Sequence, residues 1–322
     1  MSTAAKTGKK AIRIANGIVN MFVLIVVLLL LVFGCYAIWD SKQVHTEAHS
    51  KHYEKYKPLP GNEGLSFQSL QQINPEVFAW LTVYGTNIDY PVTQSPDNLK
   101  YVNTNALGNY SLSGAIFLDS NCSPDFSDFN SILYGHHMEK QTMFGEIGLF
   151  ADESYFMARK YGMLYYDGHE HGLEFFTFVH TDAYSTIFRA KVTGPDNQNA
   201  YFDLLKKMAI HTRKEVTVTL EDRIILLSTC SGNSTNGRDI LIGRITDQIY
   251  DDPFMTDQTK EGNSFPVIAH LLNFFSQIPA WARIIIAGLL FLLILLAVIL
   301  INKKKKRSAK KRDPISGAKG DK

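Results

Sequence analysis

The amino-acid sequence predicts a mostly β fold, a closed or nearly closed antiparallel barrel with peripheral helices, carried between an N-terminal and a C-terminal transmembrane helix. Three observations predict it. Short β-branched and aromatic segments recur with Gly, Asn or Asp between them, as barrel strands do. Only two internal stretches interrupt them with a helical pattern. Two long apolar runs, one towards each end, are each long enough to cross a bilayer.

Residues 1–13 form a basic cytoplasmic N-terminus. Residues 14–39 contain no charged side chain, and the run VLIVVLLLLVFGCYAIW exceeds a signal-peptide core and lacks a small-x-small cleavage site before Asp40. An uncleaved transmembrane helix is therefore expected there. Residues 40–65 read as an extracellular linker, helical over Ser41 to Tyr56 and turning in KPLPGNEG.

Residues 66–250 hold the barrel domain. SFQSLQQINPEVFAWLTVYGTNIDYPV reads as a short helix and a strand hairpin, followed by strands GAIFLD, NSILYGHH, GMLYYD, LEFFTFVHTD, TIFRAKV, EVTVTL, RIILLSTC and RDILIGRI. LFADESYFMARKY and AYFDLLKKMAIHT are the helices, the second with Tyr201, Leu204, Leu205 and Met208 at helical spacing for packing on the barrel. Residues 251–282 form a juxtamembrane segment that lies on the membrane surface or packs under the barrel. Residues 283–302 carry the second span, whose apolar run Ile284 to Ile301 has 18 residues, about 27 Å as a helix. Residues 303–322 are a basic cytoplasmic tail.

Charge sets the orientation. Lys6, Lys9, Lys10 and Arg13 precede the first span without an acid, and ten basic and two acidic residues follow the second. Both ends are expected in the cytoplasm and the domain outside the cell. Of the 33 basic and 31 acidic residues this leaves 19 and 29 between the basic ends, a formal charge of −10. The basic tail thus suits anionic membrane lipids rather than nucleic acid.

Three cysteines are few for an extracellular chain. Cys35 lies in the first span; Cys122 and Cys230 are outside, where they either pair as a disulfide or leave Cys230 a free nucleophile at a strand end, beside Ser231, Gly232, Asn233 and Ser234. A base for such a thiol is offered by His136 or His137. Adjacent residues on an extended chain point oppositely, so only one of them faces it. A metal site from His136, His137, His169, His171 and His180 competes, without an HExxH or paired-cysteine spacing to support it. Acyl transfer also needs a donor for the developing oxyanion; Arg238 opens the strand after the cysteine loop, and Arg244 lies six residues farther along it.

Together these segments resemble the sortases, membrane-anchored cysteine transpeptidases of Gram-positive bacteria. Leu227, Ser228, Thr229 and Cys230 keep the LSTC of the family's cysteine signature, with Leu226 where TLSTC has threonine. SGAIFLDSNCSPDFSDFNSILYGHHMEKQTMFGEI is similar to the class B pattern around the catalytic histidine, and GRDILIGR to the arginine-bearing strand. The resemblance covers residues from about Ser66 to Ile249. It implies a sortase barrel with Cys230 as nucleophile, His136 as acid/base and Arg238 as the oxyanion-stabilising or substrate-positioning residue. Ser228 and Thr229 are expected on the floor of a peptide groove; Tyr184 and Ser185 resemble the loop that covers substrate.

The implied partners are secreted proteins with a C-terminal sorting signal of the Asn-Pro-x-Thr or Leu-Pro-x-Thr-Gly type and an amine of peptidoglycan or of a pilin. The implied chemistry needs no cofactor or metal. The helix at 200–212 and the N-terminal helical region also look like class B elaborations. One departure stands out: a C-terminal span with a basic tail is reminiscent of pilus-polymerising class C enzymes, yet YKPLPGNEG has no Asp-Pro-aromatic lid motif. The alternatives are a hydrolytic cysteine peptidase and an inactive extracellular binding domain with a Cys122–Cys230 disulfide.

Overall fold

Helix α1 (Thr3–Ala48) is continuous through the first apolar run, because nothing in that run offers the backbone a competing partner. Its uncharged stretch Ile14–Ile38, 25 residues, spans about 37 Å, more than a bilayer's hydrocarbon core of about 30 Å. The helix expected over Ser41 to Tyr56 is only half helical. α1 ends at Ala48; His49 is extended and its side chain accepts from the Lys51 N–H, which starts the first of two 3-10 turns, Ser50–His52 and Glu54–Tyr56.

The computed structural model describes residues 3–58, 63–231 and 236–254. The chain divides into two compact units, Met1–Thr256 and Asp257–Lys322. The expected second span and basic tail lie outside the described residues, as does most of the loop just after Cys230.

After α2 (Glu63–Ile73) come β1 (Val77–Val83), β2 (Asp89–Thr93), β3 (Ile116–Leu118), β4 (Asn130–Tyr134), α3 (Glu153–Ala158), β5 (Tyr161–Tyr166), β6 (His169–Asp182), α4 (Pro195–Met208), β7 (Ala209–Thr212), β8 (Arg223–Cys230) and β9 (Gly237–Thr246). Eight strands close in the order β5-β1-β2-β3-β4-β8-β9-β6, with β6 returning to β5 and β7 added to β6 as a ninth. Closure removes the free edges of the sheet. The barrel is not wholly antiparallel as expected: β2–β3 and β4–β8 pair in parallel.

Strands β8 and β9 carry the consecutive apolar residues IILL and ILI because both of their faces are covered there. Leu133, Ile225, Leu227 and Leu241 join Phe175 and Phe178 in the barrel interior. The alternate residues Ile132, Leu226, Ile240 and Ile242 form a second cluster outside the barrel, under Tyr201 and Leu205 of α4 and under Ile187 and Val192. α4 starts earlier than expected because Pro195 fits its first turn and Gly194, at φ 85, turns the chain into it.

Four further expected elements differ. LFADESYFMARKY is not one helix: a 3-10 turn (Ile147–Ala151) ends at the extended Asp152, whose side chain caps the short α3, and Tyr161 already belongs to β5. AIHT is not the tail of a helix: it pairs with β6, Thr212 opposite Thr177 and His211 opposite Phe178. EVTVTL forms no strand, and Val216 and Val218 instead pack against the outer cluster. TIFRAKV is a 3-10 turn and loop because Asn130 takes its backbone bonds: the Asn130 amide donates to the Arg189 carbonyl (2.7 Å) and accepts from the Val192 N–H (2.9 Å). Asn130 is fully buried, so Asn130→Ala strands both backbone groups. We expect the variant to lose about 2–4 kcal/mol in denaturant unfolding; a loss below about 0.5 kcal/mol, the scale of a neutral surface change, would contradict this account.

Candidate active site

The parallel pairing of β4 with β8 brings two strand ends together. Their register runs from Asn130 opposite Ile224 to Tyr134 opposite Ser228, and the Gly135 N–H continues the ladder onto the Ser228 carbonyl (3.2 Å). Two residues beyond the last pair, on the same face of each strand, stand His136 and Cys230. Across β8, Cys230 is paired with Arg238 of β9. The next pair, Ser231 with Gly237, is the hydrogen-bonded one (2.8 Å). Cys230 and Arg238 therefore form a non-hydrogen-bonded pair, the closer kind, with Cα atoms about 4.5 Å apart. His136, Cys230 and Arg238 thus make one row across three adjacent strands, on the outer face at one end of the barrel.

The Cys230 thiol is free and exposed. Cys122 is also free, but it is buried and its thiol is pushed up to about 11, by burial first. The disulfide alternative is thereby removed. Arg238 donates to the Gly237 carbonyl (3.0 Å) and has no carboxylate within ion-pair range among the described residues. Its rival Arg244 is committed elsewhere, to Glu174 (2.6 Å) and Asp222 (3.7 Å).

His136 is held by its ring. Nε2 lies 2.8 Å from the Val102 carbonyl, which only accepts, so Nε2 carries a hydrogen and Nδ1 is left to exchange a proton. That carbonyl is fixed in turn. Tyr101 is buried with its hydroxyl on Glu76 (2.6 Å), and Lys100 pairs with the same carboxylate (2.6 Å). Gly114, at φ 59, passes so close that a Cβ there would sit 2.7 Å from the Val102 oxygen, a space only glycine leaves. His137 points away, exposed, in a bridge with Met143.

The other expected residues divide by strand parity. Ser228 shares the outer face with Cys230, whereas Thr229 faces the interior beside Asp239; both are buried, and neither hydroxyl has a partner among the described residues. Tyr184 is 86% exposed just beyond β6, which ends with Thr181 opposite Arg238 and Asp182 opposite Gly237. Ser185 uses its hydroxyl to cap the 3-10 turn at Ile187 (3.4 Å). Gly232, Asn233 and Ser234 lie outside the described residues.

The five histidines offered as metal ligands do not converge. His180 bonds Asp239 (2.7 Å), His171 stacks on Tyr166 (4.2 Å between centroids), and His169 is exposed. Among the described residues no group of metal-ligand side chains gathers. The Val102 carbonyl and the His180–Asp239 pair behind the row escaped the sequence reading. A backbone carbonyl leaves no residue-type signal, and the pair joins positions 59 apart in the chain.

No family model matches the chain. A solved sortase B from the type II pilus of Streptococcus pneumoniae is 46% identical, with 56% of this chain and 99% of that one covered and a TM-score of 0.50. A Streptococcus pyogenes class B sortase involved in pilus biogenesis is 38% identical, covering 56% of this chain and 98% of that one, at a TM-score of 0.52. Sortase B of Listeria monocytogenes is 29% identical over 213 residues, 64% of this chain and 82% of the relative.

Proposed function

The chain belongs to the class B sortases, and from that premise we propose that Cys230, His136 and Arg238 are its nucleophile, acid/base and oxyanion-stabilising residue. It is a membrane-anchored cysteine transpeptidase acting on surface proteins that carry a sorting signal. The observation that carries the site reading is the row itself: an exposed thiol flanked in register by a guanidinium with no carboxylate partner among the described residues and by an imidazole held through Nε2.

The Cys230 thiolate attacks a backbone carbonyl of the sorting signal. Arg238, across the strand, donates hydrogen bonds to the oxyanion that forms on that carbonyl oxygen. His136 gives a proton to the leaving amine, the peptide bond breaks, and a thioester to Cys230 remains. An acceptor amine then attacks the thioester while His136 takes its proton, and the thiolate is released. Ser228, on the outer face with a buried hydroxyl that has no partner among the described residues, lies beneath the peptide, and Tyr184 with Ser185 borders it from the β6 side.

The identity to two pilus-associated enzymes, 46% and 38%, supports a pilin amine as acceptor over peptidoglycan. A second span at 283–302, with both termini in the cytoplasm, completes the proposed topology and rests on charge and hydropathy alone.

Mass spectrometry of the full chain in detergent tests this reading, using sorting-signal peptides with and without pilin-lysine or cross-bridge peptides. We expect cleavage at one peptide bond, an acyl adduct on Cys230 and a ligated product only with amine. Hydrolysis at the same rate whether or not amine is present would favour the peptidase. In the same assay Arg238→Ala should lower kcat by about 10²–10³, the worth of one oxyanion donor, and leave unfolding unchanged. A loss below about threefold, under 1 kcal/mol, would take Arg238 out of the mechanism.

A further inference from the structure

We propose that Tyr90 is a positioning residue for His136, its hydroxyl fastening the end of the membrane helix to the segment that carries the acid/base. The proposal rests on the role given to His136 above. Tyr90 lies in β2 and is 1% exposed. Its hydroxyl donates to the carbonyl of Ala48, the last residue of α1, at 2.9 Å. The same oxygen accepts the Met143 N–H at 2.9 Å. Ala48 is itself fully buried, and its carbonyl is one that a helix end leaves without an intrahelical partner.

Met143 sits within the turn that returns upon the histidine pair. It bridges His137, and the Phe144 N–H donates to the His136 carbonyl at 3.0 Å. Between them Lys140, Gln141 and Met143 have φ of 57, 59 and 54, conformations that side-chain-bearing residues adopt only when held. A buried phenol on a barrel strand supplies that hold. Burial also pushes the Tyr90 phenol well above its ordinary value, so it keeps its proton and both bonds across the working pH range.

A second tie runs in parallel. The Ser111 hydroxyl is 3.1 Å from the Glu47 carboxylate and 2.9 Å from Ser113, next to Gly114, against which the Val102 carbonyl rests. The end of α1 therefore reaches both supports of His136: the turn that fixes its backbone and the loop whose carbonyl holds Nε2. By this reading the membrane helix is part of the frame of the active site as well as its anchor.

The test uses the full chain in detergent: wild type, Tyr90→Phe, Tyr53→Phe and His136→Ala. Tyr53 is the matched control, a buried phenol whose ring lies 6.3 Å from the Tyr90 ring and which, among the described residues, makes no hydrogen bond to Met143. Two quantities are read: the pH dependence of Cys230 alkylation by iodoacetamide, which needs no substrate, and kcat and KM for peptide ligation. Tyr90→Phe should move the alkylation curve towards that of His136→Ala and lower kcat about tenfold, with KM little changed, as misplacement of a reacting group does. Tyr53→Phe should lose thermal stability alone. A Tyr90→Phe curve superimposed on wild type, or a Tyr53→Phe curve shifted as far, overturns the proposal. A wild-type curve that His136→Ala leaves in place overturns the site reading, and this proposal with it, by a separate result. Should Tyr90→Phe not fold, amide exchange of the wild-type chain decides: Met143 protected like the β2 amides supports the tie, and exchange as fast as that of Lys140 overturns it.

Discussion

Cys230→Ala should abolish both the acyl adduct and the ligated product, leaving turnover at least about 10³-fold below wild type, since the thioester forms on that thiol. The thiol it removes ends a strand and is exposed, so the variant should unfold at the wild-type midpoint. Cys122 provides the internal comparison. It is 3% exposed with its thiol pushed up to about 11, so at neutral pH it is both shielded and protonated. Iodoacetamide should therefore label Cys230 well before Cys122, and Cys122→Ala should retain ligation. Retained adduct formation in Cys230→Ala, or loss of activity in Cys122→Ala with the fold intact, would reassign the nucleophile.

His136→Ala should lower kcat for ligation by about 10²–10⁴, the usual worth of a positioned general acid/base, while His137→Ala stays within about threefold of wild type. The contrast separates adjacent imidazoles whose difference is geometric. His136 follows β4 onto the face of Cys230 and is held on the Val102 carbonyl; His137 alternates to the other side and is exposed. Equal losses in the two variants would mean that the segment, rather than the His136 ring, is what matters.

Much of this was legible in the chain. The N-terminal membrane helix follows from an uncharged run and needs no tertiary context, because in lipid the backbone must satisfy itself. Strands β4, β5, β6, β8 and β9 follow from β-branched and aromatic clusters bounded by turn residues. TIFRAKV and EVTVTL carry the same composition and are not strands. Their backbone and side chains are taken up by Asn130 and by the outer cluster, a tertiary override that composition does not carry.

For the site, sequence by itself determined the residue types and their places at strand ends: a cysteine closing β8, an arginine opening β9, and two histidines following β4. Strand alternation said that only one histidine could face the thiol. The residues themselves left the choice open; the parallel register of β4 on β8, across a separation of 94 residues, puts His136, the one the family resemblance implies, on the face of Cys230. Tertiary structure also removed the disulfide, by burying Cys122 and leaving Cys230 exposed, and it joined the end of α1 to Tyr90 and the histidine turn. The physical reason is the same in each case. Local propensity and periodicity act within a few residues, whereas register, burial and backbone carbonyls as partners are set by which distant strands pair.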